Sequence, residues 1–142
     1  MAPIKETVGY AIAQLCKLHR NTVDAALRQA GEIHVGQEMI LLQLWDAEGQ
    51  TQTQLAELLC VEAPTITKML QRMESEALIT RRPDAEDARV SRVYLAQRGG
   101  AVRDAIERSW EDVEQRLTRG MTTEERLLFR RLLLQARTNL AE

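Results

Sequence analysis

Aromatic side chains are only 4% of the 142 residues, which leaves little material for base-stacking platforms of the single-strand-binding kind. Two cysteines, Cys16 and Cys60, lie too far apart in sequence to suggest a disulfide framework. A reducing cytoplasm is therefore the expected compartment. With three prolines and seven glycines the chain carries no low-complexity linker, and it shows no internal repeat. No apolar run approaches the roughly 20 residues of a membrane span. The start, Met1-Ala2-Pro3-Ile4-Lys5-Glu6, has no basic leader running into an apolar segment, so no signal peptide is expected. No nucleophile elbow, phosphate-binding loop, zincin helix or paired-carboxylate motif stands out. The expectation is a protein that is not an enzyme, with no catalytic residues, no metal and no cofactor.

What is there suits one ordinary soluble domain. Hydrophobic residues make up 44% and charged residues 28%, enough to bury a core without a staple. The net charge of −2 is unevenly spread. Residues 1–62 carry −4, residues 63–103 carry +3, and residues 104–142 carry −1. Duplex binding needs local cations at phosphates whatever the global balance, so the basic middle segment is suggestive.

Apolar spacing predicts an amphipathic helix over about 4–30, with Val8, Ile12, Leu15, Val23 and Leu27 on one side. Residues 35–47 are apolar nearly all round and predict a central, buried helix. Thr51-x-x-Gln54 reads as a capping box opening a short helix, Gln52 to Leu59. After a break at Cys60-Val61-Glu62, Pro64 suits the first turn of a helix over about 64–77. The period then changes. Ile79–Arg82 and Val90–Leu95 read as two strands joined by a polar tip, a β-hairpin. A helix over about 97–119 follows, broken at Gly120, and Thr122-x-x-Glu125 caps a last helix to about 140. The fold class expected is mainly α with a small β-hairpin. The long terminal helices cannot all bury their apolar faces on so small a centre, and packing against a second copy is the natural remedy.

Residues 54–73 carry the strongest signal. Ala56 supplies the small contact of a helix-turn-helix, and Leu55, Leu59, Val61, Ile66 and Met69 lock its two helices. Thr65, Thr67, Lys68, Gln71 and Arg72 are left outward: hydroxyls near the helix start, then longer polar and cationic side chains. A solvated helix face would look the same, but the basic hairpin straight after it reads as a wing. Arg81, Arg82, Arg89 and Arg92 lie in that wing, where a thin tip can carry an arginine into a narrow minor groove. Asp87, two residues before Arg89, suits a brace for that arginine.

The run Leu78–Arg89, preceded by Leu55-Ala56-Glu57-Leu58-Leu59 and Pro64-Thr65-Ile66-Thr67-Lys68-Met69-Leu70, resembles the MarR family of winged helix-turn-helix regulators over nearly the whole chain. The Asp-x-Arg element at Asp87 and Arg89 is its most specific part. The resemblance implies one MarR-like domain over 1–142, with a DNA-binding lobe at 34–96 and dimerisation helices at 4–30 and 97–140. It implies a homodimer on a pseudo-palindromic double-stranded operator, and no membrane partner. Most such proteins are repressors released by small aromatic or phenolic acids, and some branches respond to thiol oxidation. The expected DNA contacts are Thr65, Thr67, Lys68, Gln71, Arg72, Arg82, Asp87, Arg89 and Arg92, with Arg82 and Arg92 on phosphates. Two positions depart from the pattern. Cys60 stands where a glycine is common, and Leu95-Ala96 lacks the usual hydroxyl cap, so Gly99-Gly100 should make a weak first turn.

The effector remains unknown at this level. Cys16, His19, His34, Gln37 and Trp45 are the non-aliphatic residues in the region where the family binds its ligands, although packing alone accounts for Cys16 and Trp45. A thiol switch at Cys16 and a metal held by Cys16-x-x-His19 with His34-x-x-x-Glu38 are the sharper alternatives. A helical protein-interaction module without DNA binding is the competing class.

Overall fold

The computed structural model describes residues 1–31 and 33–142. Among the described residues a single 3-10 turn, Ile4–Glu6, precedes seven α-helices and three short strands. Helix α1 runs Val8–Gly31, α2 Gln37–Asp46, α3 Gln52–Leu59, α4 Ala63–Ser75, α5 Gln97–Ala101, α6 Arg103–Leu117 and α7 Thr123–Leu140. Strands β1 (Gln50–Thr51), β2 (Ile79–Pro83) and β3 (Ser91–Leu95) form one antiparallel sheet in the order β1-β3-β2.

The core lies where α2, α3, α4 and the sheet meet. Ile40, Leu41, Leu44, Leu55, Ile66, Leu70, Met73, Leu78, Ile79 and Val93 are all at most 1% exposed. Each such side chain contributes roughly 1.5–3 kcal/mol relative to exposure. Helices α1 and α6 pack along one another, joined through Val23, Leu27, Ile106 and Val113. His19 meets Trp110 edge-on at 5.5 Å between ring centres.

Both capping boxes form. The Thr51 hydroxyl accepts from the Gln54 amide and the Gln54 side chain from the Thr51 amide, and Thr122 and Glu125 repeat the arrangement. Cys60 ends α3 in the left-handed region, at φ 56° and ψ 42°, so it carries the conformation that favours glycine. Ala77, one residue beyond the Glu76 cap of α4, also has a positive φ, of 60°.

Two features differ from the sequence expectation. Strand β1 was not expected. Two residues carry no periodicity, and the pairing of Gln50 with Val93 and Thr51 with Arg92 exists only because β3 lies alongside. The helix expected over 97–119 is interrupted at Val102. Its first segment starts at Ala96 without a side-chain cap and holds Gly99 and Gly100.

Helix α7 stands apart, with no buried residue. Leu127, Leu128, Leu132, Leu133 and Leu140 are 40–88% exposed, as are Ile4 and Val8 at 77% and Leu18 at 65%.

Candidate nucleic-acid interface

Helix α4 turns Ile66, Leu70 and Met73 inward. The i, i+3, i+4 geometry then places Thr65, Lys68, Gln71 and Arg72 outward, and all four are exposed. Arg72 is held at both ends. Its Nε donates to Glu76 Oε1 at 2.9 Å, and its Nη2 lies 2.8 Å from His34 Nε2. A guanidinium only donates, so His34 Nε2 is the acceptor. Gln37 donates to the other Glu76 oxygen at 3.0 Å. Burial alone would raise the Glu76 pKa, but the hydrogen bonds from Arg72 and Gln37 outweigh it and hold the carboxyl below its ordinary value.

Thr67 does not share that outward face. It is half-buried on the flank toward α3, donating to Ala63 O at 2.9 Å and accepting from Gln52 Nε2 at 2.6 Å.

The wing is braced by two acid–arginine pairs. Asp87 accepts from Arg89 three times: from its amide at 3.0 Å, from Nε at 3.1 Å and from Nη2 at 3.3 Å. The Arg89 side chain is nonetheless 91% exposed. Asp84 accepts from the amides of Glu86 and Asp87, both at 3.1 Å, and from Arg92 Nε. Hydrogen bonding to Arg92 and Arg89 respectively holds the Asp84 and Asp87 carboxyls below the usual carboxylate range. Arg92 also donates to Gly49 O at 2.7 Å, so its guanidinium ties the wing to the turn before β1. Arg82 lies over the Tyr94 ring at 4.3 Å, and Arg81 pairs with Glu74 of α4 at 3.1 Å.

The proposed contact residues therefore fall into three groups. Thr65, Lys68, Gln71, Arg72, Arg82 and Arg89 present polar or cationic groups outward. Asp87 and Arg92 are committed to the inner bracing of the wing, and Thr67 to the contact between α3 and α4. The bonds that Gln52, Asp84, Glu74 and His34 make here were not anticipated, because their partners lie 7–38 residues away in the chain.

A different cavity, of about 350 Å³, lies between α1, α2 and α6. Cys16, His19, Arg20, Glu38, Met39 and Trp110 are among its lining residues. Of the five residues picked from sequence, Cys16 and His19 are there. His34 and Gln37 point to α4 instead, and the Trp45 indole donates to Gly99 O at 3.1 Å. Glu38 is 1% exposed, and burial raises its pKa even though the Gly36 amide donates to it at 2.8 Å. Among the described residues the buried Trp110 Nε1 finds no hydrogen-bond partner. Among the described residues no three His, Cys, Asp or Glu side chains are placed to hold a metal ion. Nor is any helix long and apolar enough to cross a membrane.

Residues 33–91, which span the helix-turn-helix and most of the wing, match the model of the MarR family. Over that stretch, about two fifths of its length, the chain is similar to the MarR family. Members of the MarR family are transcriptional regulators, not enzymes. The organic hydroperoxide resistance transcriptional regulator of Bacillus subtilis is 37% identical over 68 residues, 48% of this chain and 46% of that protein. The chain thus matches about half the length of that relative. In fold it is similar to a variant of E. coli MarR solved with operator DNA, at a TM-score of 0.85 and 24% identity, covering 96% of this chain and 99% of that one. Bordetella bronchiseptica BpsR, whose DNA binding is regulated by 6-hydroxynicotinic acid, has a TM-score of 0.84 at 19% identity, with 96% of each chain covered.

Proposed function

We propose that this chain is a MarR-type, sequence-specific DNA-binding repressor that works as a homodimer and is released by a small aromatic or phenolic ligand. The observation that carries the DNA reading is the pairing of the outward polar stripe on α4 with a wing-tip arginine braced by its own aspartate. Lys68, Gln71 and Thr65 enter the major groove, and Arg72 and Arg82 meet phosphates. Arg89 reaches the minor groove, where Asp87 limits the side-chain entropy lost on docking. Arg92 serves the wing's shape rather than a phosphate. The α4 face of one protomer covers a single half-site, and a palindrome needs two. The exposed leucines of α7, with Ile4 and Val8, supply an apolar surface for a twofold partner.

The cavity between α1, α2 and α6 suits the effector. It couples the terminal helices to α2, and the Trp110 N–H and the second Glu38 oxygen can fix a ligand's orientation. Cys16 lines the same cavity, and the hydroperoxide-resistance relative favours a second reading in which its oxidation releases DNA.

One experiment tests the core. A duplex selected by the protein from a random library should bind with an affinity that falls steeply with salt. Arg89→Ala should lose tight binding while remaining dimeric by sedimentation. A flat salt profile, or undiminished affinity of Arg89→Ala, defeats the reading. Release by aromatic acids with wild-type chain, against release by peroxide that Cys16→Ser abolishes, separates the two effector modes.

A further inference from the structure

The hydroxyl of Thr67 is almost fully spent inside the protein. A threonine hydroxyl has one proton to give and two lone pairs to offer. The proton goes to Ala63 O at 2.9 Å and one lone pair takes the Gln52 N–H at 2.6 Å. Thr67 therefore cannot donate to a base or a phosphate without giving up its bond to Ala63 O. Gln52, by contrast, keeps its carbonyl oxygen and its second N–H. Among the described residues no other hydrogen bond holds its amide.

The place of Gln52 matters as much as its chemistry. It is the first residue of α3, half-buried beside the start of α4. With Thr53, Cys60, Ile66, Arg89 and Ser91 it lines a groove of about 470 Å³ between the helix-turn-helix and the wing. In a helix-turn-helix the first helix crosses the DNA backbone while the second enters the groove. An uncharged donor on that flank, shared with the wing-tip arginine, meets the sugar-phosphate strand rather than a base edge.

We infer that Gln52 is a DNA-backbone contact of this protein and that Thr67 is the positioning residue that aims it. The inference rests on the DNA-binding reading above and reassigns one member of its contact set. The Thr67 hydroxyl fixes the rotamer of Gln52, so the free N–H is presented to a phosphate oxygen without an ordering cost at the moment of binding. Because the contact is neutral and falls on the backbone, it adds affinity without adding sequence preference or salt dependence.

The test uses the full-length protein and duplexes it selects from a random library. Binding is read by fluorescence anisotropy across a series of salt concentrations. Gln52→Leu should weaken binding about five- to tenfold, by a similar factor on every duplex and with an unchanged salt slope. Thr67→Val should do the same, the double variant should be no weaker than either single one, and Thr67→Ser should restore wild-type affinity. Gln52→Glu supplies a control for folding. A carboxylate suits the first turn of α3, so the variant should melt no lower than wild type, yet it should bind more weakly than Gln52→Leu because it repels the phosphate. Ethylation of one phosphate should block wild type and leave Gln52→Leu indifferent. Unchanged affinity of Gln52→Leu would overturn the inference. So would a Thr67→Val variant that loses base preference at one operator position while Gln52→Leu keeps it. If wild-type protein selects no duplex at all, the DNA-binding reading itself falls. If it selects a duplex that these variants bind equally well, only the assignment of Gln52 falls.

Discussion

Two neighbouring glycines, Gly99 and Gly100, should respond to alanine with opposite signs. A Cβ on Gly99 would stand 2.2 Å from Leu78 O, 3.3 Å from Leu78 C and 3.1 Å from Leu95 Cδ2. The backbone at Leu78 is not free to yield. Its carbonyl accepts from the Ala96 amide at 3.0 Å, and its side chain is fully buried where β2 begins. The Gly99 carbonyl also accepts from the Trp45 indole at 3.1 Å, so moving α5 outward strains that bond too. Overpacking costs about 1–3 kcal/mol, and a lost hydrogen bond about 1 kcal/mol more. Gly99→Ala should therefore destabilise by about 2–4 kcal/mol. Gly100 is exposed, with none of the described residues within 4 Å of an added Cβ, and its φ lies in the range any residue adopts. Gly100→Ala should stabilise by about 0.5–1 kcal/mol, the helix-propensity difference alone. In a domain of this size each kcal/mol moves Tm by about 2–4 °C. Thermal and urea unfolding of the two variants should thus bracket wild type, with Gly99→Ala about 4–16 °C below it and Gly100→Ala about 1–4 °C above. Equal Tm values for the two variants would refute the close approach of α5 to Leu78.

Cys60→Gly should stabilise by about 1 kcal/mol, because the exposed thiol contributes little packing and its left-handed backbone is what glycine adopts freely; Cys60→Ala, measured in the same urea titration, should gain nothing. The raised pKa of Glu38 means that burial opposes its ionised form. Its favourable contribution is complete below the ordinary value of 4.5 and is lost as pH rises through the folded pKa. Glu38→Gln should accordingly raise Tm at neutral pH and have little effect near pH 4. Asp84 runs the other way, since its pKa is depressed. The bracing of the wing should be complete above the ordinary value of 3.8 and be lost only as pH falls through the lower folded pKa, and an Arg92→Met variant should show the loosened wing already at neutral pH by amide exchange. Leu128→Glu with Leu132→Glu on α7 should give a folded monomer in sedimentation, with helix content retained.

Much of the fold was legible because its signals are local. The capping boxes at Thr51 and Thr122 and the stop at Gly120 need only residues within one helical turn, and α3 begins and ends where that chemistry puts it. The alternation of Ile66, Leu70 and Met73 with Thr65, Lys68, Gln71 and Arg72 likewise follows from helical period alone. The acid–arginine spacing of Asp87 and Arg89 is two residues, so their pairing also lies within reach of a local reading. The break at Val102 was half visible, in the weak glycine turn before it.

The amino-acid order by itself determined which segments are helical, which face of α4 turns outward and where the positive charge gathers, because periodicity, capping and charge spacing act over a few residues. Only the tertiary structure decided what each polar group is already doing. Arg92 faces Asp84 and Gly49, Thr67 faces Gln52, His34 faces Arg72, and Gly99 lies against Leu78. Each of those meetings joins elements at least eight residues apart. A hydrogen bond consumed in such a meeting is unavailable to a partner outside, and no pattern within one element records that it has been consumed.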